Sequence, residues 1–281
     1  MKIGVIGASG SGKTSFFLGM LKKIAFDKSD FSIKISDLKV GLELKNKMVN
    51  LADASLPSNK RWPDTNGCWE EYTFELLDSG NKIADVQWID CPIEYFLGNR
   101  DRLSKKLCCV DCLFVCVDGS FLQGNKDNLD NITDDFYSAY GADLCNALLR
   151  VAEKSDVFPP VCILITKYDA VSPKLQDSET IKDFVKACIP VLFYQGGGMD
   201  RVVTICPVSL GKDIAEGGKL RPRNVQYPLF AALYFYIYKM LHVLPDTHPV
   251  YQMMAAEQFD LLQDLRALPL YVNGSEVSWP D

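Results

Sequence analysis

The chain has 281 residues, 48% apolar and 23% charged, enough for one large core or two modest ones and too apolar for a disordered tail. With 30 Lys and Arg against 36 Asp and Glu, the net charge is −6, which counts against a broad nucleic-acid-binding face. The 10 cysteines sit mostly inside apolar runs, as buried free thiols do; this is no disulfide framework, and reduced thiols fit a cytoplasmic location. A metal site from Cys109, Cys112 and Cys116 is disfavoured, because their segment reads as a strand without a nearby histidine or turn glycines.

Lys2 to Ile6 reads as a short buried strand. It runs into Gly7-Ala8-Ser9-Gly10-Ser11-Gly12-Lys13-Thr14, and Phe17, Leu18, Leu21 and Ile24 follow at helical spacing. The apolar stretch at the start is too short for a signal peptide or a membrane span. Phe31, Ile33 and Ile35 alternate as in a small strand, and Val40 to Leu51 reads as a surface helix. Residues 57–65 are rich in turn formers and read as a loop. Two strand-like runs, Glu70 to Leu77 and Lys82 to Ile89, flank Asp78-Ser79-Gly80-Asn81, a hairpin signal. Residues 92–107 are polar, with Arg100, Arg102, Lys105 and Lys106 clustered. Val110 to Val117 is a strand ending at Asp118, residues 119–130 a loop, and Ile132 to Val151 a helix that Gly141 could break.

Val161 to Ile165 is a buried strand ending at Thr166-Lys167-Tyr168-Asp169. A helix over Thr180 to Ile189, a strand over Val202 to Val208 and a loop over residues 211–223 follow. Pro228 opens a helix to about Leu244, a legitimate first-turn proline. Its aromatic residues, Phe230, Tyr234, Phe235, Tyr236 and Tyr238, are expected to pack on the sheet. The segment is too short to cross a bilayer, so no transmembrane span is expected. A last helix, Tyr251 to Leu265, precedes a polar tail. Alternating strands and helices predict an α/β fold, a mostly parallel sheet with one antiparallel edge strand and helices on both faces. One domain over 1–244 with a helical extension over 245–281 is the expected organisation.

The segment from Gly7 to Thr14 satisfies the spacing Gly-x4-Gly-Lys-Thr, placed where the physics requires it, after an apolar strand and before a helix. Glycines let successive N–H groups turn inward to phosphate oxygens, and the helix adds its positive dipole end. Gly7, Gly10, Ser11, Gly12, Lys13, Thr14 and Ser15 are thus expected to hold a nucleoside triphosphate, with Lys13 on its β- and γ-phosphates and Thr14 on Mg²⁺. Asp90, closing a strand, would hold the Mg²⁺ hydration shell from the far side. Asp169 could accept both N–H donors of a guanine edge, a pair adenine lacks, with the Lys167 stem along the base.

In this order the motifs resemble the small-GTPase-like (TRAFAC) class of the P-loop GTPases, over residues 1–244. The resemblance implies the three-layer P-loop NTPase fold. It identifies Asp90-Cys91-Pro92-Ile93 with the Asp-x-x-Gly motif and Thr166-Lys167-Tyr168-Asp169 with the guanine motif. Cys206-Pro207-Val208-Ser209-Leu210 then becomes the last base loop, with Ser209 and Leu210 bordering the base. Thr65 takes the place of the switch threonine, a catalytic and Mg²⁺-holding role, with Thr73 as the alternative. The chain departs at two points. Ile93 stands where the class has glycine, and Glu94 where many members have a water-orienting glutamine, so a carboxylate would face the γ-phosphate. Arg61, Arg100, Arg102 or a partner could supply the missing charge. Stand-alone double-GTPase-like proteins of bacterial conflict and anti-phage defence systems are similar in these features.

The implied function is a GTP-binding switch, with Lys13, Thr65 and Glu94 as catalytic candidates, hydrolysing GTP to GDP and phosphate and regulating a protein effector or co-encoded partner, without direct nucleic-acid binding. The alternatives are a nucleotide-locked scaffold subunit and a P-loop small-molecule kinase whose lid would be the Arg100–Lys106 cluster.

Overall fold

A computed structural model of the chain describes residues 1–26, 31–63, 69–122, 129–195, 198–212, 214–248 and 250–280. Lys2–Gly7 (β1) carries no charge after Lys2 and is buried from Ile3 onward, as a central strand with both faces covered must be. Lys13–Phe26 (α1), Phe31–Lys34 (β2) and Leu38–Ala52 (α2) follow. Asp37 caps α2 by accepting from the N–H groups of Lys39 and Val40, the arrangement that satisfies otherwise orphaned donors. The expected loop over 57–65 instead contains a short helix, Ser58–Arg61 (α3). Its last residue is buried, and its guanidinium satisfies carbonyls far along the chain.

The predicted hairpin forms as Glu70–Asp78 (β3) and Asn81–Pro92 (β4). The polar stretch after it is helical: Ile93–Gly98 (α4) and Arg100–Leu107 (α5). Cys112–Asp118 (β5) is buried through Val117. The helix expected over 132–151 is two, Leu129–Phe136 (α6) and Ala142–Lys154 (α7), joined by a π turn at Tyr137–Gly141. Val161–Thr166 (β6), Ser178–Cys188 (α8), Val202–Pro207 (β7), Tyr227–Val243 (α9) and Tyr251–Leu265 (α10) complete the predicted elements. The tail, read as polar coil, forms two more strands, Leu270–Val272 (β8) and Ser275–Val277 (β9). Asn273 and Gly274 between them have φ of 51° and 78°, the left-handed pair that a two-residue hairpin turn requires.

All nine strands form one sheet in the order β2-β3-β4-β1-β5-β6-β7-β8-β9. The five central strands, β4 to β7 in that order, are mutually parallel. The expected antiparallel strand is β3, yet it is not the edge: β2 lies outside it, and antiparallel β8 with β9 extends the other side. Helices α1, α2, α9 and α10 cover one face, and α4 to α8 the other. Trp88 is fully buried between Phe17 and Phe114. Of the aromatic residues of α9 expected to pack on the sheet, Phe230, Tyr234 and Phe235 are buried, Tyr236 is half-buried and Tyr238 is exposed. Leu229, Leu233 and Ile237 complete the buried face, each buried side chain contributing about 1.5–3 kcal/mol. Trp279 stacks on Phe235 of the same helix. The fold is thus three-layered, of the P-loop NTPase kind. Because the central strands run the same way, Gly7, Pro92, Asp118, Thr166 and Pro207 finish on one rim.

Candidate nucleotide-binding site

The rim begins with the turn after β1. A side chain at Gly7 would put its Cβ 2.8 Å from the carbonyl oxygen of Cys116, so only glycine lets β1 lie against β5 there. Gly10 and Gly12 have φ of 78° and 88°, a region that costs other residues strain. The helix α1 opens at Lys13 with no acidic residue in its first turn, which leaves its positive dipole end for an anion. Lys13 is only 6% exposed. Its Nζ donates to the carbonyls of Gly7 and Ala8, 2.9 Å each, so the ammonium curls over the turn it serves. Ser15 is buried in the first turn of α1.

Asp90 sits inside β4, opposite Val5 of β1 and Glu70 of β3. Its Oδ2 accepts from the Thr14 hydroxyl at 3.3 Å. Burial pushes its carboxyl up to about 6, opposed by the Lys13 charge, reinforced by Glu70 and opposed again by the Thr14 hydrogen bond. Asp90 Oδ1 and Ser11 Oγ are buried without a hydrogen-bond partner among the described residues. Such orphans are costly unless something completes them. Thr14 and Asp90 are hard oxygen donors that could hold a hydrated divalent cation. Among the described residues no group of three or more His, Cys, Asp or Glu is arranged for a metal, and Mg²⁺ is bound by one or two side chains together with substrate phosphates. Glu94, in the first turn of α4, reaches the loop: its carboxylate accepts from the Ser9 N–H at 2.8 Å and the Ser9 hydroxyl at 3.2 Å.

The base motif lies two strands away on the same rim. Thr166 donates to the Ser11 carbonyl at 2.6 Å, with the Val117 carbonyl also in reach at 3.1 Å, and it lies beside Gly12. Lys167 takes the left-handed conformation, φ 51°, and its Nζ meets Asp118 Oδ2 at 2.5 Å. Asp169 is half-buried in the short 3₁₀ turn Tyr168–Ala170. Backbone bonds from Val208 to Ile165 and from Tyr168 to Val208 lace this turn to the last loop. Ser209 is buried there and pairs with Arg223. Leu210 lies over Gly19 of α1, its Cδ2 against the place where a Cβ on that glycine would stand.

The loop, Thr14, Asp90, Glu94, Thr166, Lys167 and the 208–210 segment therefore meet on one rim. Thr65 lies outside the described residues. Thr73 is in the middle of β3, opposite Gln87. Arg61 does not lean toward the phosphate loop: it is 2% exposed, and its guanidinium donates to the carbonyls of Leu51, Ile214 and Gly218. Arg102 and Lys106 lie over the Trp69 ring, 5.4 Å and 3.8 Å from its centre, and Lys106 also pairs with Glu71. Their charge is engaged there. Cys112 and Cys116 are buried in β5, where burial pushes both thiols up. The pairing of Lys167 with Asp118 is not among the sequence expectations; its signal is a carboxylate that closes an apolar strand, and the β5–β6 register brings it beside Thr166.

No protein-family model matches the chain, and no curated protein matches it. Among solved structures it is similar to a GTP-binding protein from the hyperthermophilic archaeon Sulfolobus solfataricus in complex with GDP. That match has 14% identity over 85% of this chain and 53% of the other, with a TM-score of 0.39. A bacterial selenocysteine-specific elongation factor matches at 15% identity over 88% of this chain and 29% of the other, with a TM-score of 0.40. The chain thus spans about half, or less, of the length of the structures it matches. No helix among the described residues is long and apolar enough to cross a membrane.

Proposed function

We propose that this chain binds guanosine triphosphate with Mg²⁺ and hydrolyses it to GDP and phosphate, using the two states to regulate a partner protein. The observation that carries the reading is the meeting of the glycine turn, the buried Lys13 and the Thr14–Asp90 pair at one point, with Ser11 Oγ and Asp90 Oδ1 left unpartnered. Lys13 supplies a desolvated positive charge to the transferring phosphoryl group, and charge of this kind is worth more where water is excluded. Asp90 and Thr14 would hold Mg²⁺, which when bound neutralises phosphate charge. Asp169 reads the base by accepting from two guanine N–H donors. The resemblance assigns the switch threonine to Thr65.

The test is a nucleotide titration of the purified chain with GDP, GTP, ADP and ATP in Mg²⁺. Guanine selectivity is expected, and equal affinity for ATP would overturn the reading. Asp169→Asn sharpens it: an amide offers a donor where the carboxylate accepts, so it should lose guanine about a hundredfold and gain xanthine nucleotides, whose 2-oxo group accepts. Phosphate release in single turnover reports hydrolysis. A second reading, tight binding with little turnover, is favoured by one contact: the Glu94 carboxylate is held on Ser9. Phosphate release that stays at the uncatalysed rate with every co-encoded partner added would decide for it. The resemblance to defence-system GTPases points to co-encoded proteins as the partners to try first.

A further inference from the structure

Glu94 and Ser9 are 85 residues apart in sequence and joined by two hydrogen bonds, with both carboxylate oxygens spent on one loop residue. Ser9 is exposed on the phosphate loop, while buried Lys13 donates to the carbonyls of Gly7 and Ala8 in the same loop. The carboxylate is therefore an anion already seated on an anion-binding turn. Its placement is fixed by its neighbours. Ile93 and Phe96 are 2% and 1% exposed in the core beneath α4, so α4 cannot turn freely about position 93 as a glycine would allow. The Thr14–Asp90 pair joins the start of α1 to β4, the strand that runs into α4. Those two residues would hold a cation that neutralises phosphate charge, and Glu94 reaches the loop from just past the same strand, four residues after Asp90.

We propose that Glu94 distinguishes triphosphate from diphosphate: its carboxylate caps the phosphate loop at Ser9, and a terminal phosphate is accepted only as that contact is released. The inference rests on the loop being a nucleotide site. A diphosphate leaves the carboxylate where it is. A triphosphate adds negative charge beside it, which repels the carboxylate, and release acts on α4, which packs on α7 and α5. The γ-phosphate thereby reaches the outer helical face without a glycine hinge.

The experiment measures the affinities of the full chain for GDP and for a non-hydrolysable GTP analogue, in wild type, Glu94→Gln and Ser9→Ala. Glu94 is exposed, so its amide variant keeps the core intact. Glu94→Gln should raise the ratio of triphosphate to diphosphate affinity about tenfold, and Ser9→Ala, which loses only the longer bond, about twofold. A second readout needs no variant: the Ser9 amide proton should shift further in NMR spectra on adding the triphosphate analogue than on adding GDP. An unchanged or lowered ratio in Glu94→Gln, or a Ser9 shift equal for both nucleotides, overturns the proposal while the nucleotide site stands. If wild type binds neither nucleotide, the site reading falls and takes this inference with it.

Discussion

The phosphate end and the base end of the rim are built differently. At the phosphate end, Ser11 Oγ and Asp90 Oδ1 are buried and unpartnered among the described residues, and Lys13 donates to carbonyls of its own turn. At the base end, Thr166, Lys167 and Ser209 all have partners within the chain. One half is completed by something that arrives, and the other is a preassembled template. Affinity should therefore depend mostly on the phosphate end, and selectivity on the base end.

The largest effect is expected from Lys13→Ala, which removes the buried cation. Affinity for any triphosphate should fall about a hundredfold to a thousandfold, equally for guanine and adenine nucleotides. A loss confined to guanine nucleotides in titration would erase the distinction between the two ends.

Asp90→Asn comes next. The Asp90 carboxyl is raised from 3.8 to about 6, chiefly by burial. The folded chain thus keeps a proton that the unfolded chain gives up, so the nucleotide-free protein loses stability as pH rises from about 4 to 6 and stays penalised above. At pH 7 the asparagine should stabilise the empty protein by about 2–3 kcal/mol, and at pH 3 it should do nothing. Urea unfolding at the two pH values measures this; a destabilised variant at pH 7 means the carboxylate is already compensated. The same variant should weaken the Mg²⁺ dependence of nucleotide binding.

Asp118→Asn is the smallest. Its partner Lys167 is 44% exposed, and such pairs contribute about 1 kcal/mol or less. Guanine affinity should drop about twofold to fivefold, with phosphate-end behaviour unchanged. A larger loss would show that Lys167 depends on Asp118 for its position over the base.

Much of this was legible in the sequence. The Gly7–Thr14 turn, the hairpin at Ser79-Gly80 and the helix Tyr251–Leu265 each follow from residues within one or two turns of each other. Asn273-Gly274 carried the same kind of signal for β8 and β9. That signal is weak because the strands are three residues each, too short for alternation to stand out. Arg61 differs for another reason. In the loop ahead of the hairpin it reads as a charge able to reach the phosphates, yet it bonds carbonyls up to 157 residues away, and nothing local reports that.

By itself the sequence determined the residue types of the rim: a glycine turn with Lys13 and Thr14, a carboxylate at Asp90 and the Thr166–Asp169 motif. These depend on short-range backbone geometry and on residue types at set spacing. Only the tertiary structure decided which groups face one another. Glu94 meets Ser9 and Lys167 meets Asp118, while Arg102 and Lys106 turn to Trp69. Such pairings cross 33 to 85 residues of chain and are set by strand order and register, where a slip of one residue would turn each side chain to the opposite face.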